Sequence, residues 1–170
     1  MLILVVASLL ILFAKSCVGI VVPESLSNGL YIITLNDRND AISREITFSP
    51  NADLSRVTPR QQTPPPLENP QPHCGSGDLD SGEFSSIQAS FDTMCDAAKM
   101  YGPSMAIIMA QGNSIAYMCN FAGTNRCWRQ EYDEANRILD NACGQAHIGS
   151  VYVDRWKKSY GRDVKGADIC

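Results

Sequence analysis

The chain predicts a small α+β fold stapled by disulfides, and three observations carry that prediction. Six cysteines, Cys74, Cys95, Cys119, Cys127, Cys143 and Cys170, fall in the stretch from 74 to 170. An even set in a small exported domain reads as a framework of bridges. Two segments of that stretch repeat apolar residues at helical spacing, and three others are short apolar runs bounded by turn residues. The resulting order is helix, strand, strand, helix, strand, with the helices expected on one face of an antiparallel sheet.

Residues 2–14 (LILVVASLLILFA) form an apolar run that is short for a bilayer span and right for a signal-peptide core. Ala14 and Ser16 suit cleavage before Cys17, and Cys17 and Gly19 suit cleavage before Ile20. Residues 1–19 are thus read as a signal peptide, with a membrane anchor as the alternative. A lipoprotein box at Cys17 is disfavoured by Lys15, which stands where a small residue is wanted. No later run is apolar enough to cross a membrane, so the remainder is expected to be secreted and extracellular.

Residues 20–60 are read as a pro-segment. Leu30–Leu35 and Ile42–Phe48 suggest two short strands around a polar turn, Asn36–Asp40. A hairpin alone is marginally stable, so this one either packs on the later domain or is removed. Val57-Thr58-Pro59-Arg60 resembles the relaxed kexin sites of fungal secretory proteins. An uncut arginine at the edge of a linker is the other reading. Residues 61–73 hold five prolines between Gln61 and Pro72 and are read as an extended linker.

Residues 74–170 are then one small cysteine-rich domain, whose modest core makes the bridges important to stability. Residues 61–170 carry nine Lys and Arg against thirteen Asp and Glu, a balance of −4. That acidity argues against general nucleic-acid binding. Asp80 or Ser81 is expected to cap a first helix, whose apolar stripe is Phe84, Ile87, Phe91, Met94, Ala98 and Tyr101, with Cys95 at its edge. Gly102-Pro103 ends it. Met105–Ala110 and Ile115–Phe121 read as a hairpin turning at Gly112-Asn113. A second helix is predicted over Arg129–Cys143, with Trp128, Tyr132, Ala135, Leu139 and Ala142 on one face and Gly144 as its stop. Ile148–Trp156 reads as a strand, and Lys157–Cys170 as a polar tail.

Helix length restricts the bridges. Cys127 and Cys143 bracket the second helix, which separates them by about 24 Å, whereas a disulfide needs Cα atoms within about 7 Å. They should not pair. Cys74–Cys143 is the most reasonable single pair, and Cys170 joins one of the other three.

The candidates for chemistry are few. Cys119 and Cys127 do not form a CxxC, and the chain has two histidines, so neither a metal nor a cofactor is expected. No GxSxG is present. Asp78, Asp80 and Glu83 are explained by the positive end of the first helix. Asp92 and Asp96, one turn apart, are a carboxylate pair that a solvated helix face also explains. His147, near Arg155 and Arg162, is the one residue suited to ribonuclease-like acid–base work, and a loop histidine is the bland alternative. No catalytic residue is therefore assigned. Arg155, Trp156, Lys157, Lys158, Tyr160, Arg162 and Lys165 cluster cations with aromatics and form the candidate binding surface. Strand alternation would place Arg155, Lys157 and Ser159 on one face and Trp156, Lys158 and Tyr160 on the other.

Cys74-Gly75, Cys95, Cys119, Ala142-Cys143-Gly144 and Tyr160-Gly161-Arg162-Asp163…Gly166…Cys170 resemble, in their layout over residues 74–170, small secreted fungal cysteine-rich proteins of the Ecp2-type (Hce2) effector and killer-toxin group. The closing Tyr-Gly-x-Asp…Gly…Cys is also similar to Y3-type fungal glycan-binding proteins. The resemblance implies a non-enzymatic effector or toxin-like protein, or a lectin-like module. A monomer is expected, with a host extracellular protein or a glycan as its partner.

Overall fold

The computed structural model describes residues 19–35, 41–46, 64–96 and 100–170. They form a mixed α and β structure with two helices, an antiparallel sheet and three disulfides. The signal-peptide core, the Val57–Arg60 site, the Asn36–Asp40 turn and Ala98 lie outside the described residues.

The strands in chain order are β1 (Ile20–Val21), β2 (Gly29–Leu35), β3 (Ala41–Ile46), β4 (Gln71–Asp78), β5 (Met100–Tyr101), β6 (Met105–Gln111), β7 (Ser114–Asn120), β8 (Asn125–Arg126), β9 (His147–Val153), β10 (Lys158–Val164) and β11 (Asp168–Ile169). The helices are α1 (Ser81–Asp96) and α2 (Arg129–Cys143). Seven strands make the main sheet, in the order β3-β2-β6-β7-β10-β9-β4, with β1-β11 and β5-β8 as small separate pairs.

Asp80 Oδ1 accepts from the backbone N–H groups of Gly82 and Glu83 at 3.0 and 2.9 Å and so caps α1. Phe84, Ile87, Phe91, Met94 and Cys95 are buried as their spacing requires. α1 is described as far as Asp96, and Tyr101, expected in the helix, belongs to β5. The β6–β7 hairpin turns at Gly112, whose φ of 58° suits glycine. Glu83 Oε2 closes that turn by accepting from Asn113 N–H and Ser114 Oγ–H, both at 3.0 Å.

The two central hairpin strands are buried on both sides, which is why they read as continuous apolar runs. Ile107 and Met109 join a cluster with Phe84, Ile87 and Phe91 of α1 and Tyr132, Ala135 and Leu139 of α2. Ala106, Ile108 and Ala110 join a second cluster with Ile20, Val22 and Ile169.

Several expectations are corrected here. The stretch Lys157–Cys170 is not a polar tail: β10 sits between β7 and β9 near the middle of the sheet, with Tyr160 and Arg162 fully buried. Its charged residues hid it, because Lys158 and Arg162 meet Glu131 and Asp140, partners distant in sequence. The strand predicted over Ile148–Trp156 ends at Val153, and Asp154–Trp156 form a single 3-10 turn into β10. The element order therefore carries more strands than the five-element reading. β4 begins at Gln71, inside the stretch read as linker. The β2–β3 hairpin pairs through β2 with β6, from Gly29↔Ala110 to Thr34↔Met105. On α2, Ala142 is exposed while Glu131 and Asn136 are buried.

The bridges are Cys74–Cys143, Cys95–Cys127 and Cys119–Cys170, with Cα separations of 5.6, 4.6 and 5.6 Å. Cys74–Cys143 is the pair expected from sequence, and Cys127 and Cys143, which helix length keeps apart, are not joined.

Candidate binding site at the β9–β10 turn

The candidate surface divides once the fold is known. Arg155 and Lys157 project from the turn between β9 and β10, with side chains 69% and 50% exposed. Arg155 Nη1 donates to Glu68 Oε1 at 2.6 Å. Lys157 Nζ donates to Asp154 Oδ1, also at 2.6 Å. That contact raises the lysine's pKa and lowers the aspartate's. Lys157 itself has φ 50°, the left-handed conformation that lets β10 start. Lys165 is half-buried beyond the far end of β10, about 20 Å away at the usual rise of a strand. The candidate cations therefore do not form one patch.

Lys158, Tyr160 and Arg162 leave the surface altogether, a correction to the candidate binding surface the sequence suggested. Lys158 Nζ contacts Glu131 Oε2 of α2 and donates to the Arg126 carbonyl at 3.1 Å. Tyr160 donates its hydroxyl proton to the same Glu131 oxygen at 2.7 Å and accepts from Trp128 N–H at 3.2 Å. Burial raises the Glu131 pKa and lowers that of Lys158, and the contact between the two groups opposes both shifts. Arg162 closes the end of α2. It donates to the carbonyls of His147 at 2.7 Å and Gly144 at 3.0 Å, meets Asp140 Oδ1 at 2.7 Å, and lies over the Phe84 ring at 4.9 Å. A cation there complements the negative helix end.

What remains at the turn is an aromatic surface. Trp156 is half-buried, with Lys158 Nζ 5.0 Å from its ring centroid. Trp128 is also half-buried, with the Arg126 guanidinium 5.3 Å from its ring. Arg126 Nε donates to the sulfur of Met100, which is 52% exposed. Phe121 and Tyr152 pack edge to face at 5.7 Å near the same turn. Buried polar groups hold these pieces in place. Asn125 Nδ2 donates to the Trp156 carbonyl at 2.9 Å and to Asn120 Oδ1 at 2.8 Å, and Asn120 Nδ2 donates to the carbonyls of Tyr101, Gly102 and Gly123. Phe121 N–H donates to the Lys157 carbonyl at 2.8 Å. The reading from sequence missed Trp128, Arg126, Phe121 and Met100. The usable signal was Arg126-Cys127-Trp128, since residues two apart on extended chain share a face.

His147 lies away from this turn. Its Nδ1 is 2.7 Å from Asp78 Oδ1 and its Nε2 is 3.1 Å from the Gly75 carbonyl, so both ring nitrogens meet acceptors. The Asp78 contact chiefly, then the Gly75 carbonyl, raises its pKa. Of the two arginines the sequence sets near it, Arg162 is buried and Arg155 is paired with Glu68. Asp92 is buried against α2 rather than solvated, with Oδ2 3.9 Å from Arg129 Nε. Among the described residues no group of three or more His, Cys, Asp or Glu side chains is placed to hold a metal ion, and no helix is long and apolar enough to cross a membrane. Three disulfides fit an extracellular or secreted protein.

The chain matches no family model, no curated protein and no solved structure.

Proposed function

We propose that this protein acts outside the cell by binding, without turnover, as a cysteine-rich effector or toxin-like protein. Its contact surface is the β9–β10 turn with the adjoining Asn125–Trp128 segment. The observation that carries the reading is the pair of half-buried indoles, Trp128 and Trp156, each with a cation about 5 Å from its ring and each attached to the buried Lys158–Glu131–Tyr160 network. Trp and Arg are the residue types that dominate binding hot spots, and a rigid support means little is lost in ordering them on contact. A host extracellular protein is the first class of partner. A glycan is the second, favoured by the same indole faces, which stack on sugar rings.

The test is a glycan array and a capture assay on host extracellular proteins, run beside a ribonuclease assay, all on the oxidised protein. Trp128→Ala and Trp156→Ala are each expected to reduce binding by tenfold or more, at about 1.4 kcal/mol per tenfold. Arg155→Glu with Lys157→Glu should weaken it less, because both cations already have acidic partners. His147→Ala should leave it unchanged. RNA cleavage abolished by His147→Ala, with full activity in both tryptophan variants, would move the protein into the enzyme class.

A further inference from the structure

We propose that the Gly19–Ile20 bond is a processing site, cut by the leader peptidase of the exporting cell, and that the ammonium group formed on Ile20 pairs with the carboxylate of Asp168. In the cut, water adds across the peptide bond. Gly19 leaves with the new carboxylate, and Ile20 keeps the nitrogen, which takes up a proton to become the ammonium.

Two independent observations select this bond over the alternative before Cys17. The first is cysteine arithmetic. The chain has seven cysteines, and the six from Cys74 onward are all paired with one another. A cut before Cys17 leaves an odd thiol on an exported, oxidised protein. A cut before Ile20 removes it. Cys17 and Gly19 are also the small residues that a leader peptidase wants at the third and first positions before the cut.

The second observation is geometric. From Ile20 onward the segment is fixed: Ile20 is 2% exposed and pairs with Ile169, Val22 is fully buried, and Val22 N–H donates to the Ala167 carbonyl at 2.9 Å. Just before it, the Asp168 carboxylate lies against Gly19. A Cβ placed on Gly19 would sit 1.8 Å from Asp168 Oδ1 and 2.5 Å from its Cγ. The Ile20 nitrogen is two covalent bonds from Gly19 Cα, about 2.4 Å at standard geometry. Removing Gly19 opens the space beside that nitrogen and puts a positive charge within reach of the carboxylate already there. β11, which carries Asp168, runs directly into the Cys119–Cys170 bridge, so the ion pair would fasten the new amino terminus to a covalently anchored strand.

The test has two arms. The full chain is secreted from a eukaryotic host, and the amino terminus of the product is sequenced. A start at Ile20 is expected, and a start at Cys17 or elsewhere overturns the site. Separately, two forms are prepared from cleavable fusions: one beginning at Ile20, the other at Ser16 with Cys17→Ser. Each is melted with Asp168 and with Asp168→Asn. The substitution should lower Tm by about 2–4 °C in the Ile20 form and leave the extended form unchanged. An equal shift in both forms, or none in either, overturns the ion pair.

Discussion

Gly161 is required by the tyrosine that lies across it. Tyr117 stands opposite Gly161 on the neighbouring strand, and its hydroxyl reaches past the glycine to Ser150 on the strand beyond. A Cβ at 161 would sit 2.3 Å from Tyr117 Cζ. Gly161→Ala is therefore expected to cost about 1–3 kcal/mol, the usual price of overpacking a core, read as a lower urea midpoint. The neighbours of Gly161 are equally structural. Glu131→Ala strands Lys158 as a buried unpaired charge and should cost about 3–5 kcal/mol, whereas Glu131→Leu with Lys158→Met should restore most of the loss. His147 gives a pH signature. Its folded pKa is raised, so the stability it lends is fully present below the ordinary histidine value. That stability is lost as pH rises through the folded value. The difference in Tm between the protein and His147→Asn should thus be largest in acid and fade above neutrality. A pH-independent difference would contradict the Asp78 contact. These cases also show why Tyr160-Gly161-Arg162-Asp163 could be noticed in the sequence but misjudged. Its residue types suggest a surface motif, and only the fold reveals that Glu131, Asn136 and Tyr117 are waiting for it.

At the scale of elements, what could be read from sequence depended on whether an element stabilises itself by pattern or by partners. α2 runs from Arg129 to Cys143 as its periodicity predicts, and β6 and β7 fall within a residue of the apolar runs. β10 was invisible because four of its seven residues, Lys158, Ser159, Arg162 and Asp163, are polar or charged, and no period-2 signal survives that composition. Three of the seven candidate residues went with it, since Lys158, Tyr160 and Arg162 are buried between the sheet and the helices that cover it. β4 shows the opposite dependence. All eight of its residues are exposed, and it is held at the sheet edge by pairing with β9, by the Asp78–His147 contact and by the Cys74–Cys143 bridge to α2. Cys143→Ser should therefore free β4 and cost about 2–5 kcal/mol. Non-reducing peptide mapping of the unaltered protein should return the Cys74–Cys143, Cys95–Cys127 and Cys119–Cys170 peptides, and a Cys127–Cys143 peptide would refute α2.

For the whole molecule, the open question is what residues 20–60 do once the chain has folded. All three bridges lie between Cys74 and Cys170, so none ties this segment to the rest. Its attachment is noncovalent but extensive. β2 pairs with β6 over six residues and β1 pairs with β11, while Ile20, Val22, Leu30, Tyr31 and Ile33 are each at most 4% exposed. At about 1.5–3 kcal/mol for each large apolar side chain removed from water, expelling the segment would cost about as much as the typical stability of a small domain. It would also bare the edge of β6 and the apolar cluster around Ile108 and Ile115. A cut after Arg60 should therefore yield two chains that stay together. A specific protease site placed at residues 57–62 tests this. After cutting, the 20–60 fragment should co-elute with the remainder on gel filtration and separate in denaturant without reductant. Expressed without residues 1–60, the remainder should bind a hydrophobic dye or aggregate. If the fragment elutes free and leaves a stable, dye-silent domain behind, residues 20–60 are a disposable pro-segment, and the contacts of β1 and β2 matter only until the chain is cut.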